Sequence, residues 1–79
     1  MIIKILGTGC AGCTRLENST KEALRQLGLQ ADVIKVTDIQ AILSYGIMSS
    51  PALVIDEKVV MYGRNPSVDE IIKLIKDNK

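Results

Sequence analysis

The chain switches its apolar rhythm from strand to helix across one glycine-flanked turn, and that early switch constrains the fold more than any other feature. Ile2 to Leu6 is rich in β-branched residues and is closed by Gly7-Thr8-Gly9, so it reads as a mostly buried strand ending in a tight loop. Lys4 interrupts the run on the face opposite Ile3 and Ile5. From about Cys10 or Ala11 onward, Leu16, Ala23, Leu24 and Leu27 fall at helical spacing with Thr20 filling the gap, and Gly28 supplies a natural stop. A second strand runs from Ala31 to Val36.

Thr37 and Gln40 stand three apart, the spacing of a capping box, and open a short helix with Ile39, Ile42 and Leu43 as its stripe and Gly46 as its end. Ser49-Ser50-Pro51 then breaks the chain before a strand from Ala52 to Ile55. Asp56-Glu57-Lys58 reverses the direction into Val59 to Tyr62. A second capping box, Ser67 with Glu70, starts a helix whose Val68, Ile71, Ile72 and Ile75 sit at i, i+3, i+4 and i+7. The order is β-α-β-α-β-β-α. Two helical crossovers imply parallel neighbours and the hairpin an antiparallel edge, so the expectation is a single α/β domain over residues 1–79, a mixed four-stranded sheet flanked by helices.

Composition narrows the function classes. Ile, Leu and Val occupy 25 of the 79 positions while Phe and Trp are absent, so the core is aliphatic. Ten basic against nine acidic side chains leave a net charge of +1, which gives no reason to expect nucleic acid as a partner. There is no His, which removes serine triads and His-ligated metal sites supplied by this chain alone. No apolar run is long enough to span a bilayer, and the N-terminal run lacks the pattern of a signal peptide, so no membrane association and a cytoplasmic location are expected.

Chemistry concentrates in Gly7-Thr8-Gly9-Cys10-Ala11-Gly12-Cys13-Thr14. Cysteines at i and i+3 of a helix start can bring their sulfurs within bonding distance. The unpaired backbone N–H groups and the helix dipole there favour a thiolate. Free cysteine ionises near pH 8.5, and such pairs ionise lower. Cys10, at or before the first turn, reads as the nucleophile; Cys13, one turn in and facing the domain, reads as the resolving thiol. Ala11 and Gly12 are too small to block a bulky disulfide. Two inert core thiols are the bland alternative, and their position between strand and helix argues against it. A soft-metal reading also stands, because a Cu(I) site needs only two thiolates. Copper- and heavy-metal-carrying domains, however, run β-α-β-β-α-β, whereas here a capped helix separates the second and third strands.

Cys10-x-x-Cys13 after the first strand, Ser50-Pro51 before the third, and Gly63 after the fourth resemble the thioredoxin superfamily. More closely, the chain resembles the small thioredoxin- or glutaredoxin-like redox-active disulfide proteins of archaea and anaerobic bacteria. That resemblance implies a thioredoxin-like fold, with Pro51 cis against the disulfide and Ser50 pairing with the substrate strand. It implies a thiol–disulfide oxidoreductase acting on protein disulfides, regenerated by a separate reductase, monomeric and without a cofactor. Two departures are plain: Gly9 and Ala11-Gly12 replace the family's Trp and Gly-Pro, and Lys4 stands where thioredoxins keep a buried carboxylate. Lys4 either stabilises a thiolate or snorkels to solvent. Gly63-Arg64-Asn65-Pro66-Ser67 only partly matches a glutathione site, although Arg64 could hold a peptide carboxylate. Tyr45 and Met48 are candidates to flank the groove.

Overall fold

The computed structural model describes residues 1–8, 11–47 and 50–78. Seven elements follow in the expected order: β1 (Ile2–Leu6), α1 (Ala11–Leu27), β2 (Asp32–Val36), α2 (Ile39–Ser44), β3 (Ala52–Ile55), β4 (Lys58–Tyr62) and α3 (Val68–Asp77). The sheet order is β2-β1-β3-β4. β1 runs parallel to β2 with Ile3 opposite Val33 and Ile5 opposite Lys35, and β3 is antiparallel to both β1 and β4. The sheet is mixed as expected, but only α1 makes a parallel crossover: the connection through α2 brings β3 back antiparallel to β1, so the second of the two expected parallel crossovers is not formed. Because α2 separates β2 from β3, the order is not that of the soft-metal domains.

The two faces of the sheet are covered unequally. On one side Ile3, Ile5, Leu53, Ile55 and Met61 meet Leu16, Ala23 and Leu24 of α1 and Ile71 and Ile75 of α3 in the larger cluster. Thr20 belongs to this buried face because its hydroxyl donates to the Leu16 carbonyl at 2.7 Å, so its polar group is satisfied within the helix. On the other side Leu6, Ala52 and Val54 pack on Ile42 and Ile47. β3 is buried at all four positions because both faces are covered, which is why it reads as a continuous apolar run.

Three local expectations need correction. The cap of α2 is Asp38, not Thr37: the Asp38 carboxylate accepts from the Gln40 N–H at 3.1 Å. A carboxylate two residues before that donor is the better-placed acceptor, so it takes the role the Thr37–Gln40 spacing suggested. The α2 stripe is buried only at Ile42, while Ile39 is 60% and Leu43 55% exposed, since a six-residue helix is too short to lay a full stripe on the sheet. Finally, β4 begins at Lys58, so the hairpin turn is Asp56-Glu57 alone, both with positive φ as a two-residue turn of primed type demands. The Ser67 cap stands as read, its hydroxyl accepting from the Glu70 N–H.

Candidate functional site

The site lies where the C-terminal end of β1 hands over to α1. The ladder between β1 and β2 runs one step past the strand, with the Gly7 N–H donating to the Val36 carbonyl at 3.0 Å. That bond fixes Gly7 beneath the first turn of α1. Cys13 sits in that turn, 7% exposed and engaged in a disulfide. A Cβ on Gly7 would stand 2.0 Å from the Cys13 sulfur, so only a residue without a side chain lets the sulfur pack on the backbone there. Cys10 lies outside the described residues, as do Gly9, Met48, Ser49 and Lys79, so the proposed roles of Cys10 and Met48 rest on the sequence.

Two further segments converge on the same turn. The Ser50–Pro51 peptide bond is cis, with Pro51 buried and Ser50 exposed. A Cβ on Gly12 would lie 3.6 Å from the Pro51 ring and 2.9 Å from the Asn65 side-chain nitrogen. A Cβ on Gly7 would come within 4.0 Å of the Ser50 Cβ. The Pro51 carbonyl accepts from the Gly63 N–H at 2.9 Å, which ties the loop carrying Asn65 to the proline. Cys13, Ser50 and Pro51, singled out in the sequence, are therefore brought together. Asn65 was named only as part of the Gly63-Arg64-Asn65-Pro66-Ser67 segment, whose partial likeness to a glutathione site did not single it out as the residue that approaches Gly12.

Lys4 does not join them. Its ammonium donates to the Tyr45 hydroxyl at 2.8 Å and the Glu57 carboxylate at 2.5 Å, on the α2 side of the sheet. Those bonds raise the Lys4 pKa, the one from Glu57 most, and lower that of Glu57. The sheet separates this ammonium from Cys13, which faces the α1 side with Ile5 and Lys35. Tyr45 is thereby spent on packing against the α2-side cluster and on this ion pair. Arg64 is paired with Glu70 on the first turn of α3 rather than presented to a ligand.

A different charged group does sit beside the cysteine. Glu17, one helical turn beyond Cys13, pairs with Lys21 at 3.2 Å and with Lys35 of β2 at 3.4 Å, its side chain only 14% exposed. Burial pushes the Glu17 carboxyl up, and hydrogen bonds from the two ammonium groups outweigh it, leaving the group below the ordinary carboxylate value. A small cavity of about 40 Å³ is lined by Ile5, Gly7, Cys13, Thr14, Glu17, Lys35 and Thr37.

A fold of this order, with a disulfide at a helix start and a cis-proline against the same turn, defines a thioredoxin-like protein. The comparisons agree. Residues 1–76 match the family model described as thioredoxin domain. A thioredoxin of Methanothermobacter thermautotrophicus is 39% identical over 75 residues, covering 95% of this chain and 97% of that protein. A thioredoxin of Methanocaldococcus jannaschii is 36% identical over 76 residues, covering 96% and 87%. Thioredoxin 1 of the thermophilic eubacterium Thermosipho africanus superposes with a TM-score of 0.63 at 19% identity, over 99% of this chain and 93% of that one. The chain belongs to the thioredoxin family, and so to the disulfide oxidoreductases. Among the described residues no helix is long and apolar enough to cross a membrane.

Proposed function

We propose that this protein reduces disulfides of protein substrates through Cys10 and Cys13. The observation that carries the reading is the buried, disulfide-bonded Cys13 in the first turn of α1, with its sulfur on Gly7 and with cis-Pro51 beside Gly12. Cys10 is the only other cysteine in the sequence and is its partner in this reading. The Cys10 thiolate, favoured by the helix dipole, attacks a substrate disulfide and forms a mixed disulfide. Cys13 then attacks Cys10, the substrate leaves with two electrons, and a separate reductase restores the dithiol. Ser50, exposed beside the buried proline, offers its main chain to the substrate segment.

The test is covalent capture. Cys13→Ser incubated with a disulfide-containing protein such as insulin should accumulate an adduct through Cys10, which dithiothreitol releases. Cys10→Ser should accumulate none. Absence of adduct with Cys13→Ser, together with bound copper or zinc in protein purified without oxygen, would replace this reading with the soft-metal one.

A further inference from the structure

β2 stands at the edge of the sheet, and among the described residues its ladder is with β1 alone. Main-chain groups of successive strand residues point to opposite edges. The Asp32 N–H donates to the Met1 carbonyl at 3.2 Å and the Val36 carbonyl accepts from Gly7, so Asp32, Ile34 and Val36 face β1. Val33 and Lys35 therefore turn their N–H and C=O groups outward, where no bond among the described residues reaches them. On the α1 side this edge opens into a groove of about 790 Å³, with Leu24, Leu29, Ala31 and Val33 as its floor and Lys21 and Arg25 at its rim. On the α2 side stands Ile34, which the six-residue α2 leaves exposed. Lys21 and Lys35 share the single Glu17 carboxylate, at 3.2 and 3.4 Å, so the edge keeps a positive charge that nothing there neutralises. Glu22 is taken by Arg25, and Asp32 turns by alternation to the opposite face. A second copy does not suit such an edge. Pairing β2 with its own symmetry mate would bring Lys21 and Lys35 of one chain against those of the other, and an edge lysine guards against that pairing.

We propose that the β2 edge docks an extended segment of a partner protein, added to the sheet as a further strand, with an acidic side chain opposite Lys35. Alternation dictates the rest of that segment. The residue opposite Ile34 faces the α2 side and is apolar. The residue opposite Val33 faces the groove over Leu24 and Leu29 and is apolar too. In the antiparallel sense the segment reads acidic, apolar, apolar in chain order. Main-chain bonds to Val33 and Lys35 supply the attachment, and the charge opposite Lys35 sets the register. The surface is separate from the turn that carries Cys13, so a docked segment leaves that turn open. Because the last residue of β2 is bonded to Gly7, a partner held on this edge is kept alongside the redox turn. The proposal goes beyond the dithiol reading and does not depend on it.

Amide hydrogen exchange, followed by NMR on the oxidised protein, gives the test. Before any addition the Val33 and Lys35 amides should exchange fast, and those of Ile34 and Val36 slowly. An end-capped peptide Thr-Glu-Ile-Val-Thr, which holds no cysteine, should slow the Val33 and Lys35 amides. Exchanging its Glu and Ile puts the acid against Ile34 and should remove the effect. The same peptide N-methylated at its Val loses the bond to the Val33 carbonyl and should bind about tenfold weaker. Lys35→Glu should weaken binding about tenfold, as a surface attraction becomes a repulsion, and a peptide with Lys in place of Glu should recover it. Unchanged exchange at Val33 and Lys35 overturns the proposal, and so does protection at Ser50 and its neighbours instead. Equal binding of the exchanged peptide overturns it too. Slowing of the same two amides with protein concentration alone gives the edge to a second copy and likewise overturns it. Adduct capture by Cys13→Ser tests the dithiol reading separately, so the two fail independently.

Discussion

The two faces of the sheet solve different problems with the same strands. On the α1 side, two long helices close over Ile3, Ile5, Leu53 and Ile55, and a charged cluster, Glu17 with Lys21 and Lys35, sits beside Cys13. On the α2 side a six-residue helix covers much less. Ile34, Ile39 and Leu43 stay exposed, and Lys4 is satisfied by Tyr45 and Glu57 at the rim. Alternation along β1 alone sorts these environments, because Ile3 and Ile5 point one way and Lys4 and Leu6 the other. The lesson is that the pleat turns Lys4 to the face opposite the one on which Cys13 lies, so its position in the sequence before the cysteines does not put it beside Cys13.

That contrast can be broken, most forcefully through the core. Leu16→Ala, 1% exposed under the α1 face, should cost about 3–5 kcal/mol, whereas Ile42→Ala under the thinner α2 face should cost about 2 kcal/mol because the site can collapse. Urea unfolding of the two variants measures the difference, and equal costs would mean the faces are energetically alike. Next in size is Gly7→Ala. Its Cβ would meet the Cys13 sulfur at 2.0 Å, so the backbone must move, at a cost of about 1–3 kcal/mol that should be larger in the oxidised than in the reduced protein.

Gly12→Ala should behave oppositely. The atom its Cβ would meet at 2.9 Å belongs to the exposed Asn65 side chain, which can turn away, and alanine is favoured over glycine in a helix by up to about 1 kcal/mol. Thermal unfolding should show equal or higher stability, while insulin reduction reports the displaced Asn65. The smallest effect concerns pH. Glu22 is lowered from 4.5 to about 2 by its hydrogen bonds from Arg25 and then Gln26, and Glu17, Glu57 and Glu70 are lowered by their own partners. Carboxyls depressed in the folded state stabilise it above their unfolded pKa. That contribution is lost as the pH falls from about 4.5 toward 2. Lys4→Met should make this acid limb shallower by releasing Glu57, and should leave the pH dependence of thiol attack untouched. Urea midpoints across that range and the rate of reaction with an aromatic disulfide check the two halves.

The element order was legible because each element carries its own signal: periods of two and 3.6, the Ser67 cap, the Gly28 stop and a reversal read one residue too long at Asp56-Glu57-Lys58. The cis bond expected at Ser50-Pro51 is present, and Cys13 lies at the helix start where the spacing put it, while Cys10 lies outside the described residues. What escaped depends on register and on tertiary approach. Lys35 reaches Glu17 only because β1 and β2 align Ile5 with Lys35, and no local pattern sets that alignment. Asn65 folds over Gly12 only because the Gly63 N–H is anchored on the Pro51 carbonyl. Asp38 displaced Thr37 as a cap because two acceptors compete for one helix start, and spacing does not rank them.

The bond pair between Ile2 and Asp56 carries a practical consequence. The Ile2 N–H donates to the Asp56 carboxylate and the Asp56 N–H to the Ile2 carbonyl, each at 2.8 Å. This clasps the start of β1 to the hairpin, a full strand away from Gly7. A fluorophore, affinity handle or surface tether joined ahead of Met1 would therefore leave from the pole remote from the sulfur chemistry. Immobilised protein should then present its reactive end outward to large substrates.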